Sequence, residues 1–143
     1  MLEICNVNHV GIRVSNKQAS IDFYALLGFD LLNDVGFEQG HPVIMKHPSG
    51  VVINLLGPAT EAGDSNILMD VDEKHPGITH VALTVSSAEH ARSFVGENAI
   101  PITGSFSFGD MSAIFIRDPD RNVIELDAYG ENKSEGEGYE QHP

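Results

Sequence analysis

A chain of 143 residues with 41% hydrophobic content has the length of one domain and enough apolar material for a core. Its 21 acidic residues against 8 basic ones give a formal charge of −13, which repels phosphate backbones and anionic bilayers and excludes nucleic acid and membrane as natural partners. No apolar run approaches the ~20 residues that span a bilayer, the start MLEICNVNHV lacks a signal-peptide pattern, and the single Cys5 allows no internal disulfide, so a cytoplasmic protein is expected.

Cys5 opens the first strand pattern and is expected to be a small buried group. Residues 7–14 alternate strictly, with Val10, Ile12 and Val14 on one face and His9, Gly11 and Arg13 on the other, as in a half-buried strand. Ser15 or Asn16 caps a helix that runs through Leu27. Its apolar stripe reads Ala19, Phe23, Leu26 and Leu27, and Gly28 ends it. Short strands follow at about 29–35, 42–47 and 51–56. The pattern then recurs as a strand over 79–85, a helix over 88–98 and strands near 101–108, 111–117 and 122–128. The stretch DPDRN, 118–122, is turn chemistry rather than a calcium loop.

The recurrence has a fixed offset. NHVGIRVS, 8–15, lies 71 residues before THVALTVS, 79–86, and HPSGVVINLL, 47–56, lies the same 71 before DPDRNVIELD, 118–127. His9 therefore matches His80, and Asn54 matches Glu125. Two βαβββ modules are expected, at 5–57 and 76–129, with a linker at 58–75, all within a domain of residues 1–130. The acidic tail 131–143 is expected to be disordered or loosely packed. The expected class is α+β: the tandem modules form a curved eight-stranded mixed sheet, with helices outside and a concave face inside. The modules could pair within one chain or be exchanged between two.

Period-two alternation places His9, Gly11, Arg13, Val52, Asn54 and Leu56 of the first module on the inner face. From the second come His80, Ala82, Thr84, Val123, Glu125 and Asp127. The outward set (Val10, Ile12, Val14, Ile53, Leu55, Val81, Leu83, Val85, Ile124, Leu126) is wholly apolar. Against that contrast His9, His80 and Glu125 stand out as a 2-His-1-carboxylate set, which leaves coordination positions open for substrate or oxygen. A lone histidine on a strand is usually a surface or satisfied core group. Two in equivalent repeat positions, with a carboxylate in a third, call for more. His41, His47, His75, His90 and His142 have no such pattern and read as solvated, although His41 or His47 could line a site mouth. There is no GxSxG elbow, phosphate-binding Gly loop or CxxC.

The phrases NHVGIRVSNKQASIDFYALLGF, GITHVALTV and IFIRDPDRNVIEL, in this order and spacing, resemble the vicinal oxygen chelate superfamily over about residues 5–129. That superfamily comprises the glyoxalases, bleomycin-resistance proteins and extradiol dioxygenases. The resemblance implies paired βαβββ modules around a divalent metal (Fe, Mn, Ni, Co or Zn), with ligand positions at His9, Asn54, His80 and Glu125. Asn54 departs from the Glu or Gln of glyoxalase I and cannot act as a general base. The set His9, His80 and Glu125 resembles instead the metal sites of extradiol dioxygenases and of fosfomycin-modifying transferases. The implied function is a metal-dependent enzyme whose small substrate chelates the metal through adjacent oxygens. The chemistry would be dioxygenase-like, or lyase/isomerase through an enolate. Glu125 and Tyr129 would be catalytic, and Arg13, Asn54 and Thr84 would line the substrate pocket. Arg13 and Arg117 are the basic candidates for an anionic substrate. The resemblance also implies a homodimer. A non-catalytic drug-binding protein of the bleomycin-resistance type is the rival, and a domain whose site has decayed at Asn54 is a third possibility.

Overall fold

The computed structural model describes residues 1–61 and 63–130 and the backbone of 138–141. It divides into two compact units, Met1–Gly63 and Asp64–Pro143.

The first unit runs β1 (Val10–Arg13), α1 (Lys17–Leu26), β2 (Asp30–Asn33), a 3-10 turn at Phe37–Gln39, β3 (Val43–Lys46) and β4 (Val52–Leu56). The sheet order is β1-β4-β3-β2, with β1 parallel to β4 and the other pairs antiparallel. The second unit repeats the plan with β5 (His80–Thr84), α2 (Ala88–Glu97), β6 (Gly104–Phe108), β7 (Met111–Arg117) and β8 (Val123–Tyr129) in the order β5-β8-β7-β6. A further strand, β9 (Gly138–Gln141), pairs antiparallel with β6. The α+β class and the two βαβββ modules are as the sequence predicts. The rest of the acidic tail, 131–137 and 142–143, lies outside the described residues.

The apolar parity of each sheet builds its core. Ile12, Val14, Ile53, Leu55, Val43 and Met45 are buried in the first unit. In the second, Ile124 and Leu126 sit opposite Ile116 and Ile114, all four buried, with Ala91 and Val95 of α2 also buried. The capping residues are Asn16, whose side chain accepts from Ala19 N–H, and Ser87, which accepts from His90 N–H. Gly28 sits at φ +99°, where a Cβ would also meet the His47 ring, so α1 stops there.

Two local expectations are corrected. The buried face of α1 is Ser20, Ile21 and Tyr24, whereas Leu26 is 48% exposed. Tyr24 packs edge-on against both Phe23 and Phe29, and this aromatic cluster fixes the helix rotation. Cys5 is exposed, because β1 begins only at Val10 and residues 1–9 lie outside any strand.

Ile21→Ala is expected to lower unfolding stability by ~2–5 kcal/mol, whereas Leu26→Ala is expected to change it by less than ~1 kcal/mol. Urea titrations of the two variants check the assigned helix face.

Candidate functional site

The inner face of the second unit is fixed by strand register. On β5 and β8, His80 lies beside Val123, Ala82 beside Glu125 and Thr84 beside Asp127. On β7, Arg117, Phe115 and Ala113 face Val123, Glu125 and Asp127 in turn. One face therefore carries a histidine, two carboxyl groups and an aromatic shelf.

His80 is exposed, and its Nδ1 lies 2.8 Å from Thr79 Oγ1. With the proton on Nδ1 donated to Thr79, Nε2 presents its lone pair outward. Its ring also meets the Phe115 ring edge-on at 5.9 Å. Glu125 and Asp127 are each 9% exposed. Burial, then the neighbouring Asp127 charge and the hydrogen bond between the two carboxyl groups, push the Glu125 carboxyl up to about 7. Burial also raises Asp127, while the hydrogen bond from Glu125 and the proximity of His80 act in the opposite direction. Burial is thus the largest influence on both carboxyl groups, and it favours their neutral forms. Tyr129, on the same parity and opposite Met111, is 54% exposed.

The first unit carries the matching positions with different chemistry. Gly11 lies beside Asn54 in the same parallel register that sets Ala82 beside Glu125. Asn54 Oδ1 is buried without a hydrogen-bond partner. His9 is exposed just ahead of β1, with Nδ1 2.7 Å from Asn8 Oδ1. Arg13 is exposed, on the same parity as Asn54.

This donor chemistry suits a divalent cation. Each histidine has one ring nitrogen already engaged and the other available, Asn54 has an unsatisfied oxygen, and Glu125 is a carboxyl group that a cation would relieve of its burial penalty. Among the described residues, no group of three or more His, Cys, Asp or Glu side chains is gathered at metal-binding distance. Each module carries its own share of the donors.

Several assignments change with the geometry. Arg117, a basic candidate for an anionic substrate, is spent on Asp70 in a bidentate ion pair with both contacts at 2.8 Å. That pairing holds the Asp70 carboxyl well below its usual range, at about 2. Asp118 forms the expected turn, its Oδ1 accepting from the N–H groups of Asp120 and Asn122. His47 is no site-mouth residue of the inner face: its ring packs on Phe29 and its Nδ1 binds Ser49. Sequence reasoning placed Asp127 on the inner face but gave it no role, although its spacing of two from Glu125 was the available signal. Asp70 lay in a presumed linker and carried no signal at all.

The comparisons with known proteins agree with this architecture. The profile of the Glyoxalase/Bleomycin resistance protein/Dioxygenase superfamily matches residues 6–126, and the chain belongs to that superfamily. A curated relative, the Glyoxalase domain-containing protein RDO1 of Mycosarcoma maydis, is 26% identical over 138 residues, covering 92% of this chain and 73% of that protein. Among solved structures, a glyoxalase/dioxygenase from Nostoc punctiforme is similar with a TM-score of 0.71 at 23% identity, over 88% of this chain and 92% of that one. TnmS3, an antibiotic binding protein from Streptomyces sp. CB03234, is similar with a TM-score of 0.68 at 18% identity, over 91% and 100%. At these identities the two structures share the fold. The superfamily includes enzymes and non-catalytic binders, and no helix among the described residues is long and apolar enough to cross a membrane.

The raised Glu125 carboxyl has a pH consequence. An acid that titrates higher when folded favours its neutral form in the native state. Its stabilising contribution is complete below the unfolded value of 4.5 and is lost as pH rises through about 7. Asp70 has the opposite sign: its contribution is present above 3.8 and is lost as pH falls through about 2. Metal-free protein should therefore melt at a lower temperature at pH 8 than at pH 5, and Glu125→Gln should flatten that difference. A Tm-versus-pH series on both proteins checks this.

Proposed function

We propose that the protein is a divalent-metal-dependent enzyme in which His9 of one module and His80 and Glu125 of the other hold the cation. The carrying observation is Glu125: a buried carboxyl group that makes no ion pair among the described residues, on the same face as a histidine whose Nδ1 lies 2.8 Å from Thr79 Oγ1. When bound, a cation (Fe, Mn, Ni, Co or Zn) supplies Lewis-acid chemistry suited to a small substrate with two adjacent oxygens. Around it, Asn54 offers an amide oxygen that accepts but cannot take up a proton. Tyr129 supplies a phenol for proton transfer at the exposed end of the face, and Thr84 and Arg13 offer polar contacts to substrate. The reaction is ring-cleaving oxygenation, or a lyase or isomerase step through an enolate; oxygen uptake separates the first from the others.

A second reading rests on a separate observation. Glu125 lies opposite Phe115, whose buried ring stacks with the partly buried Phe106 ring at 6.1 Å, and acidic groups on so apolar a face suit a cationic ligand with an apolar body. Under this reading the protein sequesters a drug without turnover, and metal-free protein binds a cationic glycopeptide tightly.

The cytoplasm is the proposed location, and a homodimer is the proposed assembly. Leu2, Ile4 and Val7 are each at least 80% exposed. β1 and β5 each have only one strand partner among the described residues. A second copy would cover this apolar and hydrogen-bonding surface.

Protein purified without chelators should carry about one divalent ion per site, and His80→Ala should weaken ion binding at least ~tenfold. If elemental analysis finds no metal and added Fe, Mn, Ni, Co and Zn all fail to bind in calorimetry, the enzyme reading is wrong. Sedimentation should give a species of twice the monomer mass; a monomer at micromolar concentration would remove the dimer.

A further inference from the structure

The segment between the modules is built rather than slack. Asn66 Oδ1 accepts from the N–H groups of Leu68 and Met69, at 2.9 and 3.1 Å, and Asp70 N–H donates to Asn66 O at 2.8 Å. Asn66 Nδ2 donates to Arg121 O at 3.2 Å, tying the turn to the β7–β8 loop. Gly77 closes the far side, where any Cβ would come within 2.9 Å of Leu68 Cδ1. The strongest tie is ionic: Arg117 Nη1 and Nη2 each donate to the Asp70 carboxylate, with the two side chains only 5% and 19% exposed.

This turn carries Met69 onto the inner face, against the cluster of Ala113, Phe115 and Val123. Phe115 is the residue opposite Glu125 and the ring that meets His80. Phe106 stacks behind Phe115 and also packs on the cluster, so the Phe115 ring is held from more than one side.

We infer that Asn66–Asp70 is a positioning strap: the Asp70–Arg117 ion pair presses Met69 onto Phe115, and Phe115 in turn fixes the His80 imidazole in its ligand-binding orientation. The inference rests on the proposed role of His80. Asp70, Arg117 and Met69 touch no substrate; they act through Phe115. A buried bidentate pair that loses one partner leaves the other charge unpaired, so the pair strongly favours the observed placement of the strap.

The test uses the full-length chain. The Hε1 resonance of His80 in metal-free protein reports the orientation of its imidazole relative to the Phe115 ring. Met69→Ala and Asp70→Asn are expected to shift that resonance, and to weaken binding at least ~tenfold for whichever of Fe, Mn, Ni, Co or Zn ions wild type holds most tightly. Ile116→Val, on the opposite face of β7, is the control: it should lower Tm yet leave both the resonance and the affinity unchanged. Should Asp70→Asn fail to fold, Met69→Ala, which keeps the ion pair, decides alone. If wild type binds an ion and Met69→Ala binds it equally well with an unmoved His80 resonance, the strap has no positioning role and the cation reading survives. If affinity falls in all variants, Ile116→Val included, in proportion to Tm, the strap is merely structural and the inference fails. If wild type binds none of the five ions, the cation reading fails and the strap's role falls with it.

Discussion

Everything in this molecule depends on the parallel pairing of the first and last strand of each module. Side chains alternate across a strand, so the register of that one ladder decides which residues share a face. Gly11 lies beside Asn54 and Ala82 beside Glu125, and each pair differs from the other by the same 71 positions as the sequence repeat. A slip of one residue would turn Glu125 into the helix-covered core and bring Ile124 or Leu126 to the inner face. The apolar residues buried behind each sheet therefore do two things at once. They supply most of the hydrophobic stabilisation, and by their parity they forbid any register but the one that presents the polar set.

That arrangement has an electrostatic cost concentrated in one strand. β8 has β5 on one side and β7 on the other, and Val123–Ala128 are buried throughout. Placing Glu125 and Asp127 two residues apart there sets two like charges side by side in a poorly solvated place. Burial opposes ionisation there, and both carboxyl groups are shifted towards their neutral forms. Nothing in the packing of a helix-on-sheet module calls for such a pair; two apolar residues would be the more stable choice. An arrangement that stabilises the fold less than its simplest alternative points to a role outside stability. Holding a cation, whose charge would offset the buried carboxylate, is the role that the proposed function gives Glu125.

How much of this was legible in the sequence follows from range. Strand β7 and the positions of both helices were readable because alternation and capping are local, and Asn16 and Ser87 both cap as their types allow. The inner-face parity was readable because the repeat supplied a second copy of the pattern. The rotation of α1 was not, since it is settled by Tyr24 meeting Phe29 across a turn, and hydrophobic spacing alone gave equal weight to Leu26. The fate of Arg117 was hidden for the same reason. Its partner Asp70 lies 47 residues away, in a stretch with no periodicity, and only the folded turn brings the two together. A basic residue on an inner face looked available for a ligand; the structure shows its charge already neutralised.

The two modules share a register yet differ in much of the chemistry that the register exposes. The first offers an amide at Asn54 where the second offers a carboxyl group at Glu125. Its histidine stands ahead of β1, outside the ladder, while His80 is the first paired residue of β5. The described ties that hold a strap across an inner face are all in the second unit, which also holds the Phe106–Phe115 shelf. Duplication alone would give two equal halves. Here the second module sets two buried carboxyl groups on a face braced by the Asp70–Arg117 pair, and the first sets an amide at the matching position.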